Sequence, residues 1–295
     1  MDGILWFFQN IALAFYNFGY ALLNPGLWLD WADKQSLIRF IYYGGSSEFF
    51  FVVLTAFFVL TAVCMFRHSL MWRVVRIFEG IANGVGRVAA WAGLAMVLQQ
   101  IIIVLVQRIF AQAELTFGFG SAVTFDVSWW AEELKFYNAI IVALAATYTF
   151  VQRGHVRVDL VYSAVSFRKQ RIIDMFGSLF FMMPVAVLTW MYGWFFLWRN
   201  LITPKVSANQ TLELMLKKAR IVKWNVETIG FSPNGFNGYF LFKILIVTFC
   251  AMVFLQAIAF FFRSYLEFRE GEESDGKYLD KDTLGAGEEA YEGTH

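Results

Sequence analysis

The chain has 295 residues, of which 59% are hydrophobic and only 16% charged, and its mean hydropathy is +0.54. That balance excludes an ordinary soluble domain and points to an all-α, polytopic membrane bundle. The net charge of +1 conceals a split: from Glu267 onward ten acids stand against three bases, which leaves −7 on the tail and +8 on the body.

In chain order, residues 1–70 read as a hydrophobic extension with one or two spans. Ile4 to Leu23 is long enough to cross a bilayer, and it lacks the basic start of a cleaved signal peptide. Phe49 to Phe66 is a second apolar run, stopped by Arg67 and His68. Arg73, Arg76 and Arg87, interleaved with Trp72, Val75, Ile77, Phe78 and Ile81, predict a helix lying along the membrane surface, able to bend at Gly80, Gly84 and Gly86. Val88 to Phe110 is the next span, and its Gln99, Gln100 and Gln107 are expected to face another helix. Ala111 to Val127 reads as a loop.

Leu134 to Gln152 forms a short span with a polar group at each end. Trp129, Trp130, Glu132 and Glu133 precede it, and Arg153, His155, Arg157 and Asp159 follow it. Arg168, Lys169 and Arg171 lead into Ile172 to Trp198, with Asp174 within reach of that basic cluster and Pro184 predicting a kink. In the connector from Arg199 to Gly238, Leu212, Met215, Leu216, Ala219 and Val222 recur at helical spacing beside Lys217, Lys218, Arg220 and Lys223. This predicts a basic amphipathic helix at the membrane surface, capped by Ser207 or Asn209. Tyr239 to Phe262 is the last span, ended by Arg263, and residues 269–295 read as an acidic, disordered cytoplasmic tail. The arginines at one set of span ends place that side, with both termini, in the cytoplasm. The bases of the connector run against this assignment, which suggests a specific acidic or anionic partner for them.

The order W-x-E-E-L, a short span, then R-x-H-x-x-x-D and a second span resembles the small membrane subunit of TRAP transporters, the DctQ family. The matching positions are Trp130, Glu132, Glu133 and Leu134, then Arg153, His155, Val158 and Asp159. The ending Gln107-Arg108-Ile109-Phe110 also looks like the family's motif at that place. The resemblance covers roughly Trp72 to Phe268, so residues 71–268 are expected to form a domain of four spans. It implies a non-catalytic scaffold in the bacterial inner membrane. Its implied partners are a large permease subunit, a periplasmic binding protein that delivers an organic acid for sodium-coupled uptake, and membrane lipids. Arg108, Trp129, Trp130, Glu132 and Glu133 would then lie at the outer interface, and Arg153, His155, Arg157 and Asp159 at the inner one.

The residues themselves allow other chemistry. Glu132 and Glu133 invite a paired-carboxylate reading, but neighbours on a helix point about 100° apart. Acids in a first helical turn that complement the dipole are the simpler reading, with a partner contact as the alternative. His155 as a haem ligand would need a second axial histidine in a facing span. Only His68, at a span boundary, and the terminal His295 remain, which weakens the rival reading of the chain as an anchor for an electron-transfer complex. No cofactor, metal or nucleic-acid partner is expected. Neither a repeat nor an inverted repeat is visible, which argues against a complete transporter in this one chain.

Overall fold

The computed structural model describes residues 2–118, 122–152, 162, 164–228 and 235–280. Five helices among them are long and apolar enough to cross a membrane. These are α4 (Ser47–Phe66), α5 (His68–Val104), α6 (Val127–Val151), the rod formed by α7 (Phe167–Gly177) and α8 (Met183–Arg199), and a last helix, Tyr239–Glu270. The first segment, α1 (Asp2–Leu23), is helical but is not one of the five, because its Asn, Tyr and Gly residues dilute its hydropathy. It leans on α4, with Trp6 and Phe7 edge-on to Phe51 at 5.3 and 5.7 Å.

Two expectations change along α5. The surface helix and the following span are one continuous rod, which ends in a π turn at Leu105–Ile109. Together they make 42 residues, about 63 Å at 1.5 Å per residue, twice the hydrocarbon thickness. The helix runs unbroken through Gly80, Gly84 and Gly86. Gly86 instead lets α6 approach closely, since a Cβ there would overlap the base of the Tyr148 side chain. The predicted loop after α5 is a hairpin of β1 (Glu114–Gly118) and β2 (Ala122–Asp126), paired antiparallel with Glu114 opposite Asp126. Thr116 and Thr124 hydrogen-bond across it at 3.2 Å, the cross-strand contact for which β-branched residues are suited.

Pro184 falls just after a π turn at Ser178–Met182, so the rod passes the proline by widening one turn. At the end of the rod lies a cap. Helix α3 (Lys34–Gly44) is N-capped by Asp33, which accepts from the backbone N–H groups of Gln35 and Ser36, both at 3.2 Å. Short α2 (Gly26–Leu29) packs beside it. Leu37, Ile38 and Ile41 bury against Trp194, Trp198, Met215, Ala219 and Val222. Two carbonyls in the last turn of α3, which lack partners within the helix, accept indole N–H groups from the rod. Trp190 donates to Gly44 and Trp194 to Ile41, each at 2.8 Å.

The amphipathic connector helix is thus corrected. It is α9 (Leu212–Lys218), followed by a 3-10 turn at Ala219–Ile221, and its N-cap position is Thr211. Its apolar side is taken by α3 rather than by lipid. Lys223 lies beyond it in a two-residue strand, β4 (Lys223–Trp224), paired with β3 (Ile202–Thr203). The last helix, α10 (Tyr239–Glu270), continues past Arg263, and residues 271–280 fold back on the helix ends instead of leaving as a disordered tail.

The Gly86 contact gives a paired prediction. Gly86→Val overpacks against Tyr148, at a cost of about 1–3 kcal/mol, and should lower the thermal midpoint of the detergent-purified protein. Gly84→Ala has no atom within 4 Å of the new Cβ and should raise that midpoint slightly through better helix propensity.

Candidate functional site

At the α3 end, the anticipated acids reach two different neighbours. The N-cap of α6 is Asp126, which accepts from Ser128 at 2.8 Å, so Glu132 and Glu133 lie beyond the first turn and do not serve as its dipole complement. Glu132 accepts the backbone N–H of Phe236 at 3.0 Å and so ties α6 to the segment entering α10. Glu133 accepts from Gln99 of α5 at 3.0 Å and from the Tyr137 hydroxyl at 3.4 Å. The roughly 100° between them aims one at each neighbouring helix. Gln99 also donates to the Trp130 carbonyl at 3.1 Å, and Trp129 stands edge-on to Phe236 at 5.2 Å. Trp130 and Leu134, together with Leu115 of the hairpin, pack on Ile103, Val106 and Val127.

Arg108 is exposed on the π turn ending α5. Lys243 is 3% exposed, with its ammonium 4.8 Å from the Phe196 ring, 4.7 Å from the Tyr239 ring and 3.9 Å from Glu227. Lys217, Lys218, Arg220 and Lys223 are all exposed beside α3, and Lys34 donates to the Arg220 carbonyl at 3.1 Å. Arg153, His155, Arg157 and Asp159 lie outside the described residues.

At the opposite end, sequence reasoning missed a buried ionic junction. Its members are Glu79 on α5, Arg171 and Asp174 on α7, and Arg263 and Glu267 on α10. Arg263 grips Glu79 with two N–H groups, each at 2.6 Å, and stands 3.4 Å from Glu267. Arg171 lies 3.0 Å from the other Glu267 oxygen, 3.1 Å from Asp174 and 3.2 Å from Asp275. Tyr162 donates to Asp174 at 2.6 Å. The side chains of Glu79, Arg171, Arg263 and Glu267 are between 0% and 7% exposed, so each charge depends on its partner for the solvation that water would otherwise supply. Arg171 and Arg263, expected to face the cytoplasm as free positive charges, are neutralised inside the protein. Arg67, Arg73, Arg76, Arg87, Arg168, Lys169 and Arg269 remain exposed. The Arg171–Asp174 contact was legible from spacing. The remaining signal was Arg263 and Glu267, an i,i+4 pair set in an otherwise apolar and aromatic stretch.

The returning segment 271–280 closes this end as a strap. Asp280 accepts from Asn83 at 3.0 Å and pairs with Arg87 at 3.2 Å, while its carbonyl takes the Gln152 amide at 3.0 Å. Tyr278 stands edge-on to Trp72 at 5.5 Å beneath the guanidinium of Arg76. The Lys277 carbonyl accepts from Arg263 at 3.0 Å. The hydrogen bond to Glu270 raises the pKa of the Lys277 ammonium above its ordinary value.

Residues 115–216 match the family model described as Tripartite ATP-independent periplasmic transporters, DctQ component. The match covers about a third of the chain. No curated protein and no solved structure matches it. The matched segment runs from β1 into α9. It contains Trp130, Glu132 and Glu133, and also Arg171 and Asp174. Glu79, Arg263 and Glu267 lie outside it, so the ionic junction fastens the matched segment to the helices that flank it.

Removing one member of a buried ion pair strands its partner, at about 3–5 kcal/mol. Arg263→Gln should therefore be strongly destabilising, and a double-mutant cycle with Glu79→Gln should give a coupling above about 1 kcal/mol in unfolding of the purified protein.

Proposed function

We propose that the chain is the small, non-catalytic membrane subunit of a TRAP transporter and acts as a scaffold for the large permease subunit. The observation that carries this reading is the DctQ match over residues 115–216, which spans the hairpin, α6 and the α7–α8 rod. The helices support a scaffold role. At one end Glu132 and Glu133 tie α6 to α10 and α5 while the α3 cap holds the rod, and at the other the ionic junction joins α5, the rod and α10. A helix bundle fixed at both ends is suited to remain still while a partner moves. On this reading the large subunit carries the substrate and the coupling sodium ions, and a periplasmic binding protein delivers an organic acid. Trp129, Trp130, Glu132, Glu133 and Arg108 then lie near the periplasmic face, together with the basic group Lys217, Lys218, Arg220 and Lys223. Arg153, His155, Arg157 and Asp159 lie at the cytoplasmic face, with both termini, in the bacterial inner membrane.

Purification of tagged protein in mild detergent should recover a large, many-span permease in about equal amount. Recovery of haem- or quinone-linked subunits instead would overturn the assignment. Orientation has its own check, because Cys64 and Cys250 are fully buried and give little background. In intact spheroplasts an impermeant maleimide should label Lys218→Cys, whereas Arg73→Cys should react only after lysis; the reverse pattern would invert the topology.

A further inference from the structure

We infer that an open seam between α5 and α6 receives the large permease subunit, through a membrane-spanning helix that offers amide or hydroxyl side chains to Gln100 and Asn138. The inference rests on the proposed scaffold role and adds to it a place and a chemistry.

The two helices run antiparallel in a constant register. A Cβ on Gly86 would overlap Tyr148, and one on Gly93 would lie 3.6 Å from Ile141. Gln100 stands two turns beyond Gly93, and Asn138 stands one turn before Ile141, so each turns toward this seam from its own helix. The same register sets the two amides about one turn apart in depth. Both are nevertheless exposed, and among the described residues neither side chain makes a hydrogen bond. The seam is open here: Val97 and Val104 beside Gln100 are 53% and 44% exposed, and Val142 beside Asn138 is 67% exposed. Gln99 finds its partner on α6, whereas Gln100 next to it does not.

This depth is hydrocarbon. Arg87 and Arg108, both exposed, bound this stretch of α5, and the helix between them is about 32 Å long, close to one hydrocarbon thickness. Gln100 lies between them, and Asn138 lies one turn nearer the middle. Lipid tails offer an amide no partner. Other polar side chains meet this difficulty locally. Thr189 and Thr248 donate to the carbonyl four residues back at 2.8 and 2.9 Å, and the helical Asn10 and Asn200 do the same at 2.8 and 2.6 Å. Gln100 and Asn138 do not.

These amides therefore select their occupant. Each both donates and accepts, which a neighbouring amide or hydroxyl matches and an apolar helix does not. Headgroups lie too far away to reach them. The valine rim gives an incoming helix a surface to pack on. The family description that matches α6 is of one component of a tripartite transporter, so the missing helix belongs to another component rather than to a second copy of this chain.

The test uses the tagged full chain, purified from its native membrane in mild detergent. The double variant Gln100→Leu, Asn138→Leu should retain about tenfold less of the large subunit than the wild type. Its own thermal midpoint, measured without the partner, should equal or exceed that of the wild type, because neither amide anchors a second helix of its own chain. A midpoint lowered by several degrees overturns the inference. Equal retention of the large subunit by the double variant also overturns it, and leaves the scaffold role standing. If the wild type brings down no large subunit, both readings fall. A photo-reactive benzoylphenylalanine at Val142 supplies a second readout in intact membranes. Cross-linking to the large subunit supports the seam as its contact, while an adduct with a second copy of this chain, or with lipid alone, overturns it.

Discussion

A charge on a helix that has just left an apolar environment must be neutralised by its neighbours or carried out to water. Three helices of this protein meet under that constraint. Arg263 sits one residue beyond a run of three phenylalanines, and Glu79 lies inside α5 well before its apolar stretch begins. Neither reaches solvent, and each resolves the other's charge by a two-point grip that a lysine could not reproduce. Glu267 and Arg171 extend the same arrangement to α7. Because the paired geometry is directional where hydrophobic contact is not, it fixes the rotation and depth of these helices relative to one another.

The bundle is thus held by different physics at its two ends. One end is aromatic: four of the tryptophans, Trp190, Trp194, Trp198 and Trp224, touch in series along the rod and connector, and two of them supply the hydrogen bonds that finish α3. The other end is ionic and is roofed by the strap. Between them α5 and α6 run together with a glycine at their close approach, as expected where lipid gives no hydrophobic drive for helices to associate. The segment that matches the family model contributes members to both ends, while the regions before and after it supply α3, Glu79, Arg263 and the strap.

Much of this was legible in the sequence. Apolar run lengths located every spanning helix, because bilayer thickness imposes a length that composition alone can meet. The ends of the helices were not legible in the same way. Arg263 reads locally as a stop, since periodicity says nothing of a glutamate 184 residues away that neutralises it. The acidic tail reads as disordered because its composition cannot form a core of its own, yet residues 271–280 need none: the arginines and asparagine of other helices bind its carboxylates. The hairpin was hidden because five-residue strands carry little periodic signal. The W-x-E-E-L motif did show which residues matter near the α6 entrance, although it could not show that its two acids serve different neighbours.

The long sequence separation at the junction has a consequence for synthesis. Glu79 emerges from the ribosome 184 residues before Arg263. At about 5–20 residues per second, that leaves it without its partner for on the order of ten to forty seconds. During that interval the carboxylate has no guanidinium to pair with and is held at the aqueous surface, so α5 cannot adopt its final depth. The last helix therefore does more than complete the count of spans. Its arrival sets the vertical position of a helix inserted much earlier, and the strap that follows closes over the finished contact.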